Sequence, residues 1–74
     1  MSNDKVLRVI QAMFKRQNTI DAIDCCLCSG GEPKQYSQAL SLLESRGQIA
    51  YDHCIEEGLY AYRLVSSGLF FDVP

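Results

Sequence analysis

Apolar residues along the chain follow a helical rhythm first and an alternating one later. From Asn3 to Arg16, Val6, Leu7, Ile10, Met13 and Phe14 recur three and four apart, the spacing that places them on one side of a helix. Arg8, Gln11 and Lys15 fall opposite. Ser2 or Asn3 can cap its start, and Asp4 suits the positive end of the helix dipole. Asn18-Thr19 reads as a break and a new cap, followed by a second helix with Asp21 in its first turn. Ile20, Ile23 and Leu27 define its expected buried side. Ser29-Gly30-Gly31-Glu32-Pro33 then forms the strongest turn signal in the sequence.

Pro33 fits the first turn of a third helix, where its missing N–H leaves no bond unmade. Around that helix Tyr36, Leu40 and Leu43 line up, with Ala39 at the edge. Lys34, Gln38, Ser41 and Ser45 fall opposite, and Gly47 supplies a left-handed stop. Beyond it the period changes to two. Gln48 to Cys54 and Leu59 to Val65 read as strands joined through Ile55-Glu56-Glu57-Gly58. Ile49 and Tyr51 are expected inward on the first strand, and Tyr60, Tyr62 and Leu64 share one face of the second. Residues 1–65 therefore form the expected domain. Residues 66–74 form an apolar tail containing Leu69, Phe70, Phe71 and Val73.

Three helices followed by a C-terminal β-hairpin give an α+β fold that resembles a winged helix-turn-helix. Two segments carry the resemblance: Tyr36-x3-Leu40-x2-Leu43-Glu44-x2-Gly47-x-Ile49, and the stretch from Leu40 through Gly58 to Tyr62. They are similar to the third helix and wing of small bacterial and phage transcriptional regulators, including those of fimbrial operons. The resemblance implies a cytoplasmic, DNA-binding regulator of transcription that works as a dimer or with a partner. Such a protein would read the major groove with its third helix. Lys34, Gln35, Ser37, Gln38 and Ser41 then form the reading set, since Gln can pair with adenine and Ser with several base edges. Arg8, Lys15, Arg16 and Arg46 are the candidates for phosphate contact.

Charge complicates that picture. Seven basic and nine acidic residues leave a net charge of −2 in 74 residues, which argues against a protein that coats nucleic acid nonspecifically. Wings that clamp DNA tend to carry basic tips, whereas this one carries Glu56-Glu57. A rival reading follows: an interaction module that grips a protein through Glu56 and Glu57 of the hairpin and Leu69, Phe70 and Phe71 of the tail, without touching DNA. An apolar share of 47% with 22% charged residues is that of a folded chain, with no run long enough to span a membrane. The first five residues lack the pattern of a secretory signal.

Four cysteines suggest a weaker third reading, a metal or redox sensor. Cys25-Cys26-Leu27-Cys28 contains a C-x-x-C, and His53-Cys54 follows on the hairpin. On a helix these three thiols diverge, so no metal or other cofactor is expected. Cys26 and Cys54 are expected as small apolar core residues. No enzyme is expected either. The only histidine neighbours Cys54 on a strand, where adjacent side chains point to opposite faces, and no phosphate-binding loop follows a strand.

Overall fold

The computed structural model describes residues 3–65; the apolar tail lies outside the described residues. Six elements follow one another: α1 (Asn3–Arg16), β1 (Thr19–Ile20), α2 (Ala22–Ser29), α3 (Pro33–Ser45), β2 (Ile49–Glu56) and β3 (Leu59–Leu64). The three strands form one antiparallel sheet in the order β1-β3-β2. The class is α+β, with three helices packed on a small sheet.

Helix α1 buries Val6, Ile10 and Met13 and half-buries Leu7, Val9 and Phe14, as its pattern requires. Its last turn carries Lys15 and Arg16, favourable beside the negative end of the dipole.

The next segment departs from expectation. Thr19 and Ile20 are not the cap and first residue of a helix but a two-residue strand, pairing with Arg63 and Tyr62. Two adjacent β-branched residues favour extended backbone, and pairing with β3 decides the matter. Helix α2 therefore begins later, with Asp21 as its cap in extended conformation (φ −137°, ψ 174°). The Asp21 carboxylate accepts the backbone N–H of Asp24 at 2.9 Å. Moving Ile20 out of the helix also changes which face is buried. Ala22 and Cys25, three apart, enter the core. Ile23 is 39% exposed and Leu27 82% exposed, so two of the three residues expected inside lie outside.

Gly30 and Gly31 turn the chain at positive φ, and Pro33 opens α3. Tyr36, Leu40 and Leu43 are almost completely buried, as their spacing demands. The Tyr36 hydroxyl also donates to the Gly30 carbonyl at 3.0 Å, tying α3 to the turn before it. At the far end Gly47 has φ +76°. Its N–H donates to the Glu44 carbonyl at 2.9 Å, and that of Gln48 to the Leu43 carbonyl at 3.1 Å. This paired closure satisfies the last carbonyls of the helix and delivers Ile49 into the core.

The hairpin is longer than expected. Strand β2 runs to Glu56, and the turn shrinks to Glu57-Gly58 with Gly58 at φ +82°. Register shifts between Tyr51 and His53 and between Cys54 and Glu56 give β2 extra residues relative to β3. Simple alternation fails there. Ile49 is buried as expected, but Tyr51 is 48% exposed and packs edge-on against Tyr60 with ring centroids 5.8 Å apart. Tyr62 and Ala61 are buried, whereas Leu64 is not.

Candidate nucleic-acid interface

Helix α3 rests on the core through Tyr36, Leu40 and Leu43, so the rest of its circumference faces outward in three parts. Lys34 and Gln38 are exposed, and neither has a hydrogen bond or ion pair among the described residues. On one flank, Ser37 and Ser41 border a cleft of about 140 Å³ against the hairpin, with Gly58, Leu59, Tyr60 and Tyr62 opposite. Burial and then the nearby Glu44 carboxylate push the Tyr62 phenol up, with the Ser41 side chain opposing them.

On the other flank, Gln35 and Gln38 border a groove between α3 and α1. It holds about 440 Å³ and is floored by Val6, Leu7, Ala39 and Leu42, with Arg46 also in its wall. Leu42 is 47% exposed there. The five reading candidates thus divide. Lys34 is exposed away from both hollows, Gln38 is exposed at the edge of the groove, Gln35 is half-buried in it, and the two serines border the hairpin cleft.

The phosphate candidates are similarly divided. Arg46 shares the groove with Gln35 and Gln38, and Arg8 and Lys15 are exposed on α1. Arg16 leans toward α2 instead, its guanidinium 3.9 Å from the Cys28 sulfur. It borders a separate depression with Gln17, Asp24 and Leu27, to which α3 contributes nothing.

The hairpin contributes carboxylates and aromatic surface. Glu56 and Glu57 are exposed, and Asp52 lies 2.6 Å from His53 Nδ1. Tyr51, Ile55 and Tyr60 are each more than two-fifths exposed. Leu69, Phe70 and Phe71 of the rival reading fall outside the described residues.

The cysteines do not converge. Cys25 is fully buried, Cys26 half-buried, and Cys28 and Cys54 exposed. The core cysteine is therefore Cys25, not Cys26 or Cys54, because the face of α2 follows Ala22. Burial, then the Asp21 and Asp24 carboxylates, push the Cys25 thiol up to about 12. Burial also raises Cys26. Such thiols are poor nucleophiles and poor ligands at neutral pH. Among the described residues no three His, Cys, Asp or Glu side chains are arranged to hold a metal ion. No described helix is long and apolar enough to cross a membrane.

Sequence reasoning missed the groove beside α3 and the exposed tyrosines. Leu42 on the flank of the third helix was the available signal for the groove. Strand β2 is exposed from Tyr51 onward, beyond the reach of the core, and that has no signature in the sequence. No protein-family model, curated protein or solved structure matches this chain.

Proposed function

We propose that this chain is a small winged-helix regulator that binds duplex DNA through α3, as a binding module rather than an enzyme. The observation that carries the reading is the outer face of α3. From Pro33 to Leu43 it bears no carboxylate, and Lys34 and Gln38 extend from it without partners among the described residues. A side chain with free donors beside a cation is what base edges and phosphates require. The element order α1-β1-α2-α3-β2-β3, with β3 between β1 and β2, supports a winged helix in which α3 precedes the wing.

Electrostatics limit the affinity. Carboxylates at Asp52, Glu56 and Glu57 keep the hairpin away from the phosphate backbone, so α3 binds with Arg46, Arg8 and Lys15 as its supporting cations. Few cations mean weak binding by one copy and a need for a dimer or a partner protein. The test is a titration of isotope-labelled protein with duplex DNA at low and moderate salt, following backbone amides. Shifts concentrated in residues 34–46 and weakened by salt support the reading; none there at low salt overturns it.

A second reading, a protein-interaction module, is favoured by the half-exposed Tyr51, Ile55 and Tyr60 on an acidic hairpin. In the same titration it leaves α3 silent, and residues 51–60 respond only to a protein partner.

A further inference from the structure

The groove between α1 and α3 has apolar walls, open volume and a cation, but no occupant among the described residues. Val6, Leu7, Ala39 and Leu42 would lose water on being covered, and Arg46 stands in the wall to receive a carboxylate. Arg46 is the one charged residue among those lining the groove, and no carboxylate lines it. The groove therefore suits a short segment with an exposed aliphatic side chain flanked by carboxylates.

The same chain displays such a segment. At the hairpin tip, Ile55 is 46% exposed and is followed directly by Glu56 and Glu57. No Lys or Arg occurs between Ile49 and Tyr62 to neutralise them. The tip is a two-residue turn, Glu57-Gly58, and residues 55–58 are all exposed. Within one molecule Gly58 lies against the opposite flank of α3, beside Ser37 and Ser41, so the tip does not occupy its own groove.

We infer that the hairpin tip of one copy docks in the α1–α3 groove of a second copy, with Ile55 against Leu42 and Leu7 and Glu56 or Glu57 on Arg46. The contact joins two different surfaces and each copy offers both, so copies can add head to tail. It also covers Gln35, Gln38 and Arg46, and therefore competes with the DNA contact proposed above without depending on it.

Sedimentation velocity of the full chain, with no DNA present, tests this. The expected result is a weight-average mass that rises with concentration at low salt and returns to monomer at high salt. Arg46→Ala and the double variant Glu56→Gln/Glu57→Gln, which remove the charges without creating a new attractive pair, should each remain monomeric. Mixing the two should give a dimer and no larger species, because the first keeps an intact tip and the second an intact groove. Circular dichroism of each variant establishes that it is folded.

Three outcomes overturn the inference. One is wild-type protein that stays monomeric at low salt and high concentration. Another is association that survives in the tip variant, which would assign it to another surface such as residues 69–73. The last is variants that fail to combine when mixed.

Discussion

Asp21, Asp24 and Cys25 lie together at the start of α2. Asp21 is 7% exposed yet satisfied, because its carboxylate caps α2. Asp21→Ala should destabilise the fold by about 1 kcal/mol, measured by urea unfolding, with Asp21→Asn close to wild type. Burial and the neighbouring Asp21 raise the Asp24 carboxyl above its ordinary 3.8. A raised carboxyl favours the fold where it is protonated and loses that contribution as pH rises through its folded value. Asp24→Asn should therefore raise the unfolding midpoint at neutral pH, and the gain should fade as pH falls through the raised folded value and be gone below about 3.8. The Cys25 thiol, pushed up to about 12, should resist alkylation until the protein unfolds, whereas exposed Cys28 and Cys54 react at once. Timed labelling with mass spectrometry separates them. None of this was legible from the C-x-x-C spacing, since the spacing does not say which cysteine faces inward.

Among the elements, α3 is the one whose two ends and buried face all follow from local chemistry. Leu40 is 1% exposed at its centre, and Leu40→Ala should cost roughly 2–5 kcal/mol in urea unfolding. Gly47 closes it at φ +76° with open space where a Cβ would stand, so Gly47→Ala is penalised by backbone strain and not by a clash. That strain is about 1–2 kcal/mol, and Gly47→Asn should recover part of it. The opposite case is α2. Its apolar residues suggested a face through Ile20, Ile23 and Leu27, but Ile20 was recruited by β3 and the helix turned to bury Ala22 and Cys25. An eight-residue helix with little amphipathic contrast has no local preference strong enough to resist its neighbours.

Across the whole molecule, six of the seven cations lie on α1 and α3 or beside them, whereas Asp52, Glu56 and Glu57 make the far part of the hairpin acidic. Screening acts on any contact made through these exposed groups, so the DNA contact proposed for α3 should weaken with salt. Lys34→Ala should lower the slope of log affinity against log salt by about 0.9, if Lys34 meets one phosphate, and leave the unfolding midpoint unchanged. Gel-shift titrations at several salt concentrations measure that slope.

The hydrophobic pattern by itself determined the helix boundaries of α1 and α3, the buried set Tyr36, Leu40 and Leu43, the glycine stop and the existence of a hairpin. Each is a local consequence of periodicity, backbone freedom or a missing N–H. Only the tertiary structure decided that Thr19–Ile20 is a strand, that Cys25 is the core cysteine, and that β2 runs past the core from Tyr51 onward. It also decided that the polar residues of α3 divide between an open face, a hairpin cleft and an apolar groove. Those outcomes depend on which distant strand or helix competes for a residue, and pairing across the sheet is not written in the spacing of any one segment.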